Sequence, residues 1–197
     1  MSPGEAHVWC VPLDGSVAMP PPTAGELARA ARFRFDRQKD EYLRSHGALR
    51  AILGTLTDTR LDFAVAEAGK PYLPGVPRLK FNLSHSRGMA LVGAALDVEI
   101  GVDVEGIREL SDYTAIAERF FPPSEAVDIA DQRDFFRRWT RIEAVLKARG
   151  IGIYGAGTEV TGEWTIHELD AGPAHAAAVA LPMSGVQIVV HDFGGDR

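Results

Sequence analysis

The sequence predicts an α+β fold of two similar, pseudo-twofold halves, each a small, mainly antiparallel sheet packed with one long helix. Three observations predict it. Short runs of alternating apolar and polar residues recur along the chain, the period of two that marks half-buried strands. Two longer segments, about Arg37 to Leu56 and about Asp134 to Arg149, carry apolar residues at helical spacing. Each half of the chain holds one such helix and several strands, with a boundary near Asp97, so residues 1–97 and 98–197 read as two related units. The halves share a layout rather than a residue-level repeat.

The N-terminal segment through Val11 reads as a strand, followed by the proline-rich loop Met19-Pro20-Pro21-Pro22. Thr23, with Glu26 three residues later, forms a capping-box signal for a short helix. The first long helix should bury Tyr42, Leu49, Ile52, Leu53 and Leu56. Gly69-Lys70-Pro71, Pro74-Gly75 and Pro77 then punctuate a turn-rich connection. Leu79, Phe81 and Leu83 alternate with Lys80, Asn82 and Ser84 in a strand ending at Ser84-His85-Ser86, and Ala90 to Leu96 reads as a buried strand. Val98, Ile100, Val102 and Val104 alternate with Glu99, Gly101, Asp103 and Glu105, a half-buried strand with one polar face. A helix around Tyr113 to Phe121 is broken at Pro122-Pro123, and Ser124-Glu125 begins another. In the second long helix Phe135, Trp139, Ile142 and Leu146 form the apolar stripe. The remainder alternates strand-like runs (Thr158–Val160, Trp164–Glu168, Ala176–Leu181, Gln187–His191) with Gly/Pro turns.

At 197 residues, 46% hydrophobic and 24% charged, the chain has the composition of a soluble globular protein. Its longest uncharged apolar run, Met89 to Leu96, is too short to span a bilayer, and its start lacks the basic region and apolar block of a secretory signal. Cys10 is the only cysteine, which fits a reducing cytosol, so a cytoplasmic protein is expected. The net charge of −6 argues against nucleic-acid binding through a basic surface. Positive charge is nonetheless clustered, at Arg29, Arg32, Arg34, Arg37 and Lys39 and again at Arg133, Arg137, Arg138, Arg141, Lys147 and Arg149. Such runs serve as solvated helix faces or as landing sites for an anionic ligand or acidic partner.

Asp103 and Glu105 project from one side of their strand, about 6–7 Å apart at the backbone. Two such carboxylates repel unless something cationic stands between them, which points to a hard divalent ion such as magnesium. Gly101 is expected to leave that face open to a ligand. Gly150-Ile151-Gly152-Ile153-Tyr154-Gly155 spells G-x-G-x-x-G but follows a helix, the reverse of the dinucleotide-binding order, and reads as a glycine helix stop. Ser84 and His85 point to opposite faces of their strand, so the imidazole cannot readily activate the hydroxyl; phosphate contact competes with a plain turn. Glu143 and Lys147 are one turn apart, the spacing of an ordinary surface pair.

The ordered set changes these readings. Gly69-Lys70-Pro71 is followed by Phe81-Asn82-Leu83-Ser84-His85-Ser86, then by Ile100-Gly101-Val102-Asp103-Val104-Glu105. Phe120-Phe121, with Glu125 beyond, precedes Trp139-Thr140-Arg141-Ile142-Glu143-Ala144, Lys147, Gly150 and Gly152. Together, over about Arg29 to Gly152, they resemble the 4′-phosphopantetheinyl transferases, specifically the larger, monomeric surfactin-synthetase-activating type. The resemblance implies transfer of the phosphopantetheine arm of coenzyme A to a serine of an apo acyl or peptidyl carrier protein, with release of 3′,5′-ADP, in an active site between the halves. By similarity, Asp103, Glu105 and Glu143 hold magnesium, with manganese the alternative, and Lys147 reaches a pyrophosphate oxygen. Lys70, Ser84 and His85 match positions at the 3′-phosphate and adenosine end, and Arg29, Arg32 and Arg44 lie near the family's basic positions.

The attacking serine belongs to the carrier, so the base must come from this chain, Glu143 first and Glu125 second. Many family members carry a lysine before the helix glutamate where this chain has Ile142, which the helical stripe assigns to packing. An acidic carrier would need a local basic patch, expected at Arg133, Arg137, Arg138 or Arg141. The competing readings are a non-catalytic coenzyme A- or carrier-binding module and a metal-dependent phosphodiesterase.

Overall fold

A computed structural model describes residues 1–67, 69–151 and 163–194. In chain order these form β1 (Glu5–Pro12), α1 (Ala24–Ala30), α2 (Asp36–Leu56), β2 (Ala64–Val65), β3 (Pro71–Tyr72), β4 (Leu79–Ser86), β5 (Met89–Leu96) and β6 (Gly101–Gly106). They continue with α3 (Tyr113–Phe120), α4 (Pro123–Ala126), α5 (Gln132–Arg149), β7 (Thr165–Glu168), β8 (His175–Leu181) and β9 (Gln187–Asp192). The expected strand at Thr158–Val160 and the glycine string from Gly152 onward lie outside the described residues. No described helix is long and apolar enough to cross a membrane.

The mixed α+β class is as expected. One sheet runs β4-β5-β1-β9, a second runs β6-β8-β7, and β2 and β3 form a small hairpin within the turn-rich connection. The division at residue 97 does not separate the sheets cleanly, because β9 crosses back from the C-terminal end and pairs in parallel with β1. Local chemistry explains the helix ends. Thr23 and Glu26 close the capping box of α1, and Asp131 accepts a hydrogen bond from Asp134 N–H at the start of α5. Gly150 stops α5 in the left-handed region, at φ 72°, which glycine adopts without steric cost.

The strand alternation sorts the layers. Val11, Ala90, Val92, Ala94, Leu79 and Phe81 face Ala48, Leu49, Ile52 and Leu53 of α2. The opposite face of the first sheet, with Ala6, Val8, Cys10, Leu91 and Ala95, packs on Ile100, Val102, Val104, Val179 and Leu181 of the second. Ala144 and Val145 of α5 cover that second sheet's far side at Ala178 and Ala180. The order is therefore helix, sheet, sheet, helix. Leu56, expected inside, is only half-buried, whereas Ile142 is buried among the aromatic residues of α3 and α5.

Where the sheets meet, the free edge of β6 lies over the inner face of β4. Its backbone N–H groups find side chains instead of a strand partner. Asn82 Oδ1 accepts from Val102 N–H at 2.9 Å, Ser84 Oγ from Val104 N–H at 3.3 Å, and Ser86 Oγ from Gly106 N–H at 3.2 Å. Every second residue of β4 thus satisfies every second residue of β6, so that no buried donor on that edge is orphaned.

Gly101 sets how closely α5 lies on β6. A Cβ there would fall 1.9 Å from the carbonyl oxygen of Ala144 and 2.4 Å from the amide nitrogen of Ala148. The space above Gly101 belongs to the helix backbone and not to a ligand, which corrects the expectation from the sequence. Gly101→Ala should lower unfolding stability by about 3 kcal/mol, at the upper end of overpacking costs, because backbone and not a side-chain tip must move. Urea denaturation measures this; an unchanged midpoint would refute the close crossing.

Candidate active site

The helix crossing that Gly101 permits assembles the site. Glu143 and Lys147 each precede a residue of α5 that touches Gly101, so both come down beside the next residues on the same face of β6, Asp103 and Glu105. A cleft of about 370 Å³ is lined by Leu83, Ser84, His85, Asp103, Glu105, Trp139, Glu143 and Lys147. The polar face predicted for β6 is therefore covered at Asp103, which is only 3% exposed, because α5 lies over it.

Lys147 Nζ stands 2.5 Å from Asp103 Oδ1 and donates to Ser84 Oγ at 2.8 Å. Ser84 donates its own proton to Asp103 Oδ1 at 2.8 Å. Asp103 Oδ2 is buried with no hydrogen-bond partner. Burial pushes the Asp103 carboxyl up against the opposing pull of Lys147 and Ser84, with Glu105 adding repulsion. Glu143 is pushed up to about 7, first by burial and then by the charges of Asp103 and Glu105. Glu105 is half-buried and accepts from Ser86 Oγ and Arg108.

Among the described residues no three His, Cys, Asp or Glu side chains are close enough together to enclose a metal ion. The donor chemistry nevertheless fits a hard divalent cation. Three carboxylates share one cleft, their mutual repulsion is only partly met by Lys147, and Asp103 Oδ2 is a bare, buried oxygen.

His85 lies on the opposite side of β4 from Ser84, where burial holds its imidazole below the usual histidine range. Glu41 pulls it up and Lys147 pushes it down. Its Nδ1 is buried without a partner.

The other residues singled out from the sequence stand outside the cleft. Lys70 Nζ donates to Glu99 at 2.7 Å, to Ala148 O at 2.9 Å and to Ile100 O at 3.2 Å, tying the β2–β3 hairpin to the end of α5. Arg44 donates to Val17 O, and Arg29 and Arg32 are exposed. Glu125, on α4, faces Arg141 at 3.7 Å.

The basic patch expected on α5 is internally engaged. Arg133 donates to Pro173 O, Arg137 pairs with Glu168, and Arg138 pairs with Asp134 while donating to the carbonyls of Glu125 on α4 and of Val127 just beyond it. A larger hollow of about 530 Å³ beside that helix start contains such mutually paired charges and shares no residue with the carboxylate cleft. The sequence reading missed the roles of Asn82, Ser86 and Arg108. The available signal was the placement of Asn82, Ser84 and Ser86 two apart, on one face of a strand.

Residues 99–181, which hold the strand and helix carboxylates, match the 4′-phosphopantetheinyl transferase superfamily. The 4′-phosphopantetheinyl transferase HetI of Nostoc is 38% identical over 166 residues, covering 76% of this chain and 70% of that protein. The chain belongs to the 4′-phosphopantetheinyl transferase family. A putative 4′-phosphopantetheinyl transferase of Synechocystis is 32% identical over 172 residues, covering 79% of this chain and 69% of that one. Sfp of Bacillus subtilis is 34% identical over 104 residues, half of this chain (50%) and 45% of its own length. The superfamily match at residues 99–181 takes in β6, α5, β7 and β8, and the residues of β4 that meet them lie before it.

One titratable group outside the cleft gives a pH prediction. His46, on α2, is pushed down to about 4 by burial, with His85, Arg50 and Arg29 acting in the same direction against Glu26. The unfolded chain therefore binds the proton first, and stability present above the ordinary value of 6.5 is lost as pH falls toward 4. In denaturant melts, the stability difference between wild type and His46→Gln should move in the variant's favour across that window. A difference independent of pH would contradict the burial of His46.

Proposed function

We infer that the chain transfers the 4′-phosphopantetheine arm of coenzyme A to a serine hydroxyl of an apo carrier protein, releasing 3′,5′-ADP. The observation that carries this reading is the convergence of Asp103, Glu105, Glu143 and Lys147 on one cleft in a member of this transferase family.

Asp103, Glu105 and Glu143 would hold magnesium or manganese. When bound, the divalent ion supplies charge neutralisation on the pyrophosphate as the bond to the leaving nucleotide breaks. Lys147, which pairs with Asp103 in the free protein, is long enough to turn its ammonium to a pyrophosphate oxygen once Asp103 has another cation beside it. His85 borders the same cleft, and a neighbouring phosphate would draw its imidazole toward the charged form. Ser84 already uses its hydroxyl proton on Asp103, so in this reading it contacts the nucleotide only after that bond is exchanged. Lys70 would likewise have to leave three oxygens, those of Glu99, Ile100 and Ala148, to reach a phosphate.

For the carrier serine's proton, Glu143 lines the cleft whereas Glu125 stands outside it beside Arg141. Glu143 is therefore the base in this reading. The carbonyl carbon of the arm is not touched: the serine oxygen attacks the β-phosphorus, its proton passes to Glu143, and 3′,5′-ADP leaves with the bridging oxygen.

Intact-protein mass spectrometry of an apo carrier incubated with this chain, coenzyme A and magnesium tests the reading. One phosphopantetheine mass should be gained and should be lost with Asp103→Ala. Glu143→Gln should slow transfer by at least about a hundredfold, the scale of general-base catalysis, while Glu125→Gln stays within about threefold of wild type. Binding of coenzyme A without any mass gain across acyl and peptidyl carriers would favour a binding module. Release of 3′,5′-ADP with no carrier present would favour a phosphodiesterase.

A further inference from the structure

The two strand carboxylates are gripped in the same way. Asp103 presents Oδ1 to the Ser84 hydroxyl at 2.8 Å and to the Lys147 ammonium at 2.5 Å. Two residues along β6, Glu105 presents Oε2 to the Ser86 hydroxyl at 2.9 Å and to the Arg108 guanidinium at 3.2 Å. In each case one hydroxyl and one cation load a single oxygen of the carboxylate, and the second oxygen is left for another partner. Arg108 is itself fixed, donating to Gly106 O at 3.1 Å and lying 4.8 Å from the ring centre of the buried Phe136.

The direction of the Ser86 hydroxyl follows from its neighbours. A serine oxygen has one proton and two lone pairs. Gly106 N–H occupies a lone pair at 3.2 Å, which leaves the proton to be aimed at Glu105. The rung that joins β4 to β6 therefore also selects the rotamer of a glutamate whose free side chain has three rotatable bonds.

We propose that Ser86, supported by Arg108, is a positioning residue that holds Glu105 with Oε1 turned toward the divalent cation. The proposal rests on the reading above, in which Asp103, Glu105 and Glu143 are the ligands. It assigns Ser86 an action through Glu105, with no contact of its own to the reacting atoms.

Mn²⁺ binding to the full chain in the presence of coenzyme A, followed by the electron paramagnetic resonance of the free ion, tests it. Ser86→Ala should weaken binding about tenfold, as loss of a partner behind a metal ligand does. Ser86→Thr, which keeps the hydroxyl, should bind as wild type does. Asn82→Ala cuts the far rung of the same ladder, touches no carboxylate, and should weaken Mn²⁺ binding far less than Ser86→Ala does. In a Glu105→Gln background, Ser86→Ala should cost nothing further. Should Ser86→Ala fold poorly, Ser86→Cys, close in size but a weak donor, gives the same comparison.

Wild-type affinity in Ser86→Ala, beside a weakened Glu105→Gln, would overturn the positioning role alone. Equal weakening by Ser86→Ala and Asn82→Ala would overturn it too, since a general loosening of the ladder would then suffice. An unaffected Glu105→Gln would instead overturn the ligand reading on which the proposal stands.

Discussion

The arrangement depends on a side-chain ladder where backbone pairing is absent. Strand β6 ends its own sheet and lies across β4, so its outward N–H groups have no neighbouring strand to bond. Each such donor, if buried without a partner, costs on the order of 1–3 kcal/mol. Asn82, Ser84 and Ser86 remove that cost one rung at a time. They also fix the height and register of β6 over β4, so the cleft is defined where the two sheets are stitched together. The serine rungs do more than the asparagine rung, because a hydroxyl that accepts from the backbone still has a proton to direct. That proton goes to Asp103 in one rung and to Glu105 in the other.

Helix α5 closes the arrangement from the other side, and it can do so only because Gly101 has no side chain. The same contact that buries Ala144 against the second sheet brings Glu143 and Lys147 over Asp103. Burial first, and then repulsion from neighbouring acids, pushes the Asp103 and Glu143 carboxyls up, so their charges in one cleft oppose folding. Lys147 offsets part of that repulsion, and the close-packed layers on either side supply the rest of the support. A site that is locally unfavourable and held by favourable packing around it is characteristic of function placed on a stable frame.

Much of this was legible in the sequence where periodicity carried the information. The capping box at Thr23 and Glu26, the buried stripes of α2 and α5, and the strand alternation around Val102 and Val104 all follow from local rules. The order of motifs led to the transferase family, and the structure brings Ser84, His85, Asp103, Glu105, Glu143 and Lys147 together. What local rules missed were contacts between distant segments. The crossing partner of β9, the occupant of the space above Gly101 and the three oxygens around Lys70 depend on which elements meet, not on spacing along one element. The charge run likewise says nothing of what Arg133 and Arg137 bond to, since Pro173 O and Glu168 come from elsewhere in the fold. The polar face of β6 was read correctly as acidic but wrongly as open, because burial by α5 is a tertiary fact.

The central claim is that the ladder and the helix crossing hold Asp103, Glu105 and Glu143 as one cation-binding set beside the nucleotide. A crystal of the chain grown with coenzyme A and Mn²⁺, with diffraction recorded at the manganese edge, measures it most directly. The account predicts a single strong anomalous peak in the cleft, contacting Asp103 Oδ2, with Glu105 and Glu143 in its coordination shell directly or through water, and Lys147 drawn toward the pyrophosphate. Coenzyme A bound with no anomalous density in that cleft, or with Lys147 still paired to Asp103, would contradict it.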